Sequence, residues 1–279
     1  CRAIISQYPD DELYLISRDP PNARSRIGQS LDLKSHNIQI SEFSLLTKTV
    51  DSEILICTPA SSHMEYILKC SKLPWITRVF CEKPIFLTAE DLSTCKSLGL
   101  EIYGLYNRRF FQTLKHFKAQ LSEPGYLHTI SSYSSRDSPD SSFLYHLLDS
   151  CIWLCPPRLE TIKKIASDSG LVSIQYLSDK LYDGEHIIVR IDLLSGHKAL
   201  SSSTYYGNSG HKSSLSPLEH YSETRLQEDL SLINVQSNAK TNIPTLNLSE
   251  FDYSPLIKPG LATIVSCIRN RDTSRFHTL

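Results

Sequence analysis

Glycine is scarce in this chain: 10 residues in 279, roughly half the usual ~7%. None are arranged as G-x-x-x-x-G-K-[ST] or G-x-G-x-x-G, the loops whose backbone amides cradle phosphates at a helix N-terminus. A P-loop nucleotidase is thereby excluded, and the glycine-rich dinucleotide cradle is missing. H-E-x-x-H, an EF-hand loop and G-x-S-x-G are absent too, which removes zincin, calcium-sensor and α/β-hydrolase chemistry. No apolar run reaches the ~18 residues of a membrane helix. The eight cysteines form no double pair of the zinc type, so no metal site is expected; they read as reduced thiols of a cytoplasmic protein. Cys151 and Cys155, four residues apart, read as buried neighbours on a helix. A net charge of −1 argues against a nucleic-acid surface, and the one basic stretch, "CIRNRDTSR", reads as a solvated helix end. The only methionine is Met64, and the opening "CRAIISQYPDDELYLIS" reads as an uncapped helix tail entering a strand. The expectation is a chain whose first segment lies upstream of Cys1.

What is present has a regular order. "ELYLIS", "SEILICTP", "TRVFCEKP" and "LEIYGLY" are short apolar runs. Helix-like stretches alternate with them: "NARSRIGQSL", "SEFSLLTK", "SSHMEYILKCSKL" and "TAEDLSTCKSLG". Thr88 with Asp91 predicts a capping pair for the last of these, and Gly99 its end. Strand and helix alternating at this spacing predict βαβ units and a parallel sheet. Such sheets carry ligands at the carboxyl ends of their strands. Thr58-Pro59, Glu82-Lys83 and Tyr106-Asn107 all follow strand ends and are expected to converge on one crevice. From about Tyr126 the pattern becomes strands joined by turn-rich links, interrupted by one helix, "SSFLYHLLDSCIWL". Residues 207–255 are serine-rich and give no assignment. "SPLIKPGLATIVSCIRN" predicts a final helix with its body starting near Gly260. The predicted architecture is α/β: a Rossmann-like parallel sheet over 1–106, without its first strand and glycine loop, then an α+β domain over 107–279 with a mainly antiparallel sheet.

"ILICTPASSHMEYILKC", "VFCEKPIFLTAEDL", "YNRRF", and "HLLD" before "IWL" occur in that order. The set resembles the glucose-fructose oxidoreductase / inositol dehydrogenase (Gfo/Idh/MocA) family of NAD(P)-dependent oxidoreductases over about residues 1–205. "YNRRF" and "SRDSP" are most like its inositol 2-dehydrogenase branch. The resemblance implies hydride transfer between a nicotinamide and a polyol or sugar hydroxyl, with substrate held between nicotinamide and the second-domain sheet. It implies that Lys83, often beside a cis proline peptide, hydrogen-bonds the reacting oxygen. His146 would accept or return the proton, and Asp149, at i,i+3, is placed to orient its ring. Removing a hydroxyl proton while a cation steadies the developing alkoxide is work that a lysine and a histidine can divide. Thr58, Pro59 and His63 match the family's "TP…H" loop beside the dinucleotide, with Ala60 where asparagine is common; Glu82 and Lys83 are counted with them. After the first strand, Ser17 and Arg18 suit the 2′-phosphate of NADP, while Asp19 keeps NAD open. The bland readings stand beside these: Lys83 as a turn residue, His146 as a structural histidine, Asp149 as a salt-bridge residue, His63 as part of a helix start. Arg109, next to Arg108, is read as packing or pairing structurally.

Departures from the family pattern are equally definite. The glycine loop is missing, the acid four residues before the helical histidine is Ser142, preceded by Ser141, and the segment before "HLLD" is short. "STYYGNSGHKSS" lacks the charged residues expected to line the substrate cavity. Two readings follow. One is an oxidoreductase with a small-molecule polyol or sugar substrate and a homodimer formed through the second-domain sheet. The other is a non-catalytic homologue acting as a binding or regulatory protein. NAD-dependent glycoside cleavage is a third.

Overall fold

In the computed structural model, residues 8, 13–17, 19–28, 38–43, 53–134, 142–166, 171–196, 200–215, 221–226, 232–237 and 257–278 are described. The early apolar runs form parallel strands. β1 (Leu13–Ile16) pairs in parallel with β2 (Ile38–Ser41), and helix α1 (Pro20–Gly28) lies between them in sequence. β3 (Ile54–Ile56) leads through a 3-10 turn to α2 (His63–Ser71) and then to β4 (Arg78–Glu82). α3 (Ala89–Ser97) and β5 (Glu101–Leu105) follow. β3 and β4 are parallel, with Ile56 opposite Cys81. Val79, Phe80 and Cys81 are all fully buried. That is why this stretch reads as a continuous apolar run and not as an alternation: a parallel strand is covered on both faces. The α3 cap is the reciprocal one foreseen. The Thr88 hydroxyl accepts the Asp91 amide at 3.0 Å, and the Asp91 carboxylate accepts the Thr88 amide at 3.0 Å.

The rest builds an eight-stranded sheet. After α4 (Gln112–Ala119) come β6 (Gly125–Ser134) and α5 (Ser142–Leu154). Then follow β7 (Lys163–Ala166), β8 (Leu171–Tyr182), β9 (Glu185–Gly196), β10 (Leu200–Gly207), β11 (His211–Leu215), β12 (Tyr221–Leu226) and β13 (Leu232–Ser237). The order is β13-β12-β11-β10-β6-β9-β8-β7. Every neighbouring pair is antiparallel except β6–β9, which is parallel. The serine-rich stretch that gave no assignment thus supplies β11–β13. Alternation fixes the faces: Leu127, Ile187, Val189, Ile191, Tyr205 and Leu215 point into a core closed by Leu147, Cys151 and Leu154 of α5, by Cys155 just after it, and by Leu114 and Phe117 of α4. Two of the few glycines sit opposite each other at Gly125 and Gly207, where a Cβ would press on the Tyr206 carbonyl and the Glu123 carboxylate. No helix among the described residues is long and apolar enough to cross a membrane.

The expected class, a Rossmann-like parallel sheet followed by an α+β domain with a mainly antiparallel sheet, is what the structure shows. Its units do not follow a single cut after residue 106. One comprises Cys1–Cys81, Phe86–Tyr103 and Leu261–Leu279, the other Glu82–Ile85 and Gly104–Gly260. The end of the chain, expected in the second domain, groups with the first because Phe276 packs edge-on against Phe80 at 5.1 Å and Tyr103 at 6.2 Å. β14 (His277–Thr278) extends the sheet beyond β5. α6 (Ile257–Arg269) starts three residues earlier than expected; Pro259 is tolerated because the first turn of a helix needs no amide donor there. Replacing Thr88 with alanine removes the α3 cap, and a urea melt is expected to show a loss of ~1 kcal/mol.

Candidate functional site

The loop after β3 is braced from within. Pro59 cannot donate to a ladder and ends the strand. The Ser62 amide and hydroxyl both donate to the Pro59 carbonyl, at 2.9 and 2.8 Å. His63, 1% exposed, donates from Nε2 to the Thr58 carbonyl at 2.7 Å. A carbonyl can only accept, so the proton is on Nε2. His63 is therefore the staple of the loop. The Thr58 hydroxyl oxygen is buried with no hydrogen-bond partner. A polar atom left unmatched at the carboxyl end of a parallel strand fits a ligand hydroxyl or amide, which is what the ribose–nicotinamide end of a dinucleotide presents.

After β1, the Ser17 amide donates to Ser41 and its hydroxyl accepts the Asp19 amide at 3.1 Å. Asp19 caps α1: its carboxylate accepts the Asn22 amide at 3.1 Å, ahead of Pro20 in the first helical position. The acid that kept NAD open is thus engaged with its own helix. Arg18 lies outside the described residues.

β4 runs from one unit into the other at Cys81–Glu82 and delivers Lys83 to the second. The Lys83–Pro84 peptide is cis. The Glu82 carboxylate accepts the Lys83 amide at 3.1 Å. Burial, and secondly the charge of Arg108, hold the Lys83 ammonium below its usual range against the opposing pull of Glu82. His146, on α5, is mostly buried with an unpartnered, buried Nδ1. Its pKa is pushed down to about 3, first by burial and then by the charges of Arg108 and Lys83. Lys83, Arg108 and His146 therefore form one electrostatic cluster within the second unit. The imidazole in it is neutral at ordinary pH: it can take part in hydrogen bonds, but it holds a captured proton poorly.

The segment after β5 is tied to α5 by a second charged pair. Arg109 and Asp149 are both buried, 6% and 7% exposed. Arg109 donates from Nε to both carboxylate oxygens, at 3.0 and 2.8 Å, and from Nη2 to Oδ1. Its guanidinium also lies 5.5 Å from the Tyr106 ring centre. This corrects the expectation that Asp149 orients His146: the carboxylate is clamped by Arg109, and the buried Nδ1 of His146 bonds to nothing. Helical spacing placed Asp149 on the right face but could not show which side chain approaches it from another element. Arg109, read as pairing structurally, does so. Arg108 was the residue underweighted; its position directly after a strand end was the available signal. Ser142 opens α5, but its side chain, like Ser141 and "SRDSP", lies outside the described residues. Burial raises the Cys151 and Cys155 thiols to about 12, as suits the buried neighbours expected.

Breaking the Arg109–Asp149 pair on one side leaves a buried charge alone. Arg109→Met is expected to cost ~3 to 5 kcal/mol in a denaturant melt, with Arg109→Met/Asp149→Leu recovering most of the loss.

Comparisons with known proteins place this geometry. Residues 14–99 match the family model GFO_IDH_MocA, described as an oxidoreductase family with an NAD-binding Rossmann fold. No curated protein matches. Among solved structures, a dehydrogenase (MviM) from Clostridium difficile is 16% identical, with a TM-score of 0.68 over 96% of this chain and 86% of that one. An oxidoreductase from Agrobacterium radiobacter, in complex with NAD+, L-tartaric acid and magnesium, is 14% identical, with a TM-score of 0.64 over 95% and 82%. A super-repressor mutant of Gal80p from Saccharomyces cerevisiae is 10% identical, with a TM-score of 0.67 over 96% and 79%. The chain thus has the fold shared by dehydrogenases and a regulator, and its residues 14–99 are similar to an oxidoreductase family with an NAD-binding Rossmann fold.

Proposed function

We propose that this protein is an NAD(P)-dependent oxidoreductase acting on a CH–OH group of a polyol or sugar. The observation that carries the reading is Lys83, an ammonium with a lowered pKa at the end of β4, grouped with Arg108 and His146. Thr58, Pro59 and the His63-stapled loop would hold the cofactor, with Ser17 after β1. When bound, the nicotinamide supplies the hydride acceptor. The chain's own residues do the rest. Lys83, in its neutral form, takes the hydroxyl proton at Nζ. The fixed charge of Arg108 steadies the negative charge that builds on that oxygen. His146, neutral, offers a hydrogen bond; with its pKa near 3 the proton goes to Lys83 in preference. The site needs no acid at Ser142 for this division of labour.

A second reading, a non-catalytic binding or regulatory protein, is favoured by the low proton affinity of His146 and by the structural likeness to Gal80p. Kinetics separate the two. Full-length protein is expected to shift NAD(P)H fluorescence and to oxidise a member of a polyol and sugar panel. Lys83→Met is expected to lower kcat/KM by ~10²- to 10⁴-fold while NAD(P)H affinity stays. Absence of NAD(P)H binding sinks the proposal, and binding without any Lys83-dependent turnover supports the regulatory reading.

A further inference from the structure

The inner face of the eight-stranded sheet changes character along its length. At one end it is apolar, with Leu127 opposite Tyr205. Two residues on, Thr129 stands opposite Ser203; two further on, Ser131 stands opposite Ser201. All four polar side chains are buried, and none carries charge. Thr129 and Ser203 bond each other at 2.9 Å, and Ser131 makes an interaction of its own. Ser201 differs. At 7% exposure its Oγ is buried with no hydrogen-bond partner.

The position of Ser201 relative to α5 follows from two repeats. Near the C-terminal end of α5, Cys155 acts electrostatically on Tyr205, the cross-strand partner of Leu127. One helical turn back, the Cys151 thiol lies close enough to the Thr129 hydroxyl to be influenced by it. Four helical residues advance ~6 Å, and two strand residues ~6.6 Å, so α5 keeps step with β10, which runs the same way, and with β6, which runs the opposite way. The next turn back on α5 is His146–Leu147, and the next inward pair on the sheet is Ser131–Ser201. The unmatched Ser201 hydroxyl therefore lies level with the turn that carries His146.

We infer that Ser201 is a specificity-determining residue, whose buried hydroxyl bonds a hydroxyl of a neutral, polyhydroxylated substrate held beside His146. An unsatisfied buried oxygen costs stability, and a ligand hydroxyl removes that cost only when bound. Among the described residues the sheet wall itself offers hydroxyls and no cation, so a carboxylate lying against it would be desolvated unpaired, while Lys83 and Arg108 face the reacting oxygen. This inference rests on the oxidoreductase reading of the Lys83–Arg108–His146 cluster and adds to it a residue that reads a substrate hydroxyl away from the reacting oxygen.

The test uses full-length protein, Ser201→Ala, and Ser203→Ala as the control whose hydroxyl is already bonded. Ser201→Ala is expected to leave the ligand-free Tm unchanged or higher. It should also raise KM for myo-inositol or sorbitol about five- to tenfold, with kcat within about twofold. Ser203→Ala is expected to lower Tm and leave KM alone. Isothermal titration with the same two polyols gives the matching loss of affinity without relying on turnover. A ligand-free Tm lowered by Ser201→Ala makes the residue structural and overturns the inference. So does polyol binding unaltered by Ser201→Ala, or a wild type that binds NAD(P)H yet takes gluconate and neither polyol. That last result leaves the oxidoreductase reading standing; absence of NAD(P)H binding is the outcome that removes the reading itself.

Discussion

The ion pair between Arg109 and Asp149 is the constraint on which the second unit's site depends. It joins the 3-10 turn Asn107–Phe110, just past β5, to the middle of α5, through a guanidinium and a carboxylate that are both withdrawn from water. Two buried charges are expensive apart and tolerable together, so the turn and the helix cannot drift independently. Arg108, one residue before Arg109, is thereby held where its charge acts on His146, one turn before Asp149 on α5. Lys83 reaches the same place from the end of β4.

The chemistry of the cluster follows from that placement. Burial, and then the charges of Arg108 and Lys83, drive the proton off the imidazole; burial and Arg108 also draw the lysine toward its neutral form, against the pull of Glu82. A site of this kind favours the group that takes a proton from substrate without first holding one. Among the described residues, the inward pairs of the sheet level with the His146 turn contribute hydroxyls, one of them unmatched. Charge at the reacting end and neutral hydrogen-bonding groups along the wall describe a substrate that develops negative charge at one oxygen and carries none elsewhere.

Much of this was legible in the sequence where local physics dominates. The alternation of β and α, the Thr88–Asp91 cap and the strand end at Glu82-Lys83 all depend on neighbours a few residues away. What was not legible depends on distant partners. Asp149 sits at the right spacing to serve His146, yet a guanidinium 40 positions earlier in the chain claims it. The C-terminal helix looked like part of the second domain until Phe276 found Phe80 and Tyr103. Ser201 is one of a run of serines; only strand pairing shows which face it occupies and that its hydroxyl is unmatched. The serine-rich stretch that hid β11–β13 shows the same limit, since serine and threonine on a strand give little period-2 contrast.

The central claim is that His146 is held neutral by burial and by the charges of Arg108 and Lys83. An NMR titration of its imidazole tests this directly. In the wild type the ring is expected to stay unprotonated from pH 8 down to about 4. In Arg108→Gln its pKa should move up toward the ordinary ~6.5. The sign has a consequence for stability: between pH 6.5 and 3 the unfolded chain binds this proton and the folded one does not, so the contribution is fully present above ~6.5 and is lost as pH falls toward 3. A wild-type His146 that titrates with a midpoint near 6.5 would contradict the account.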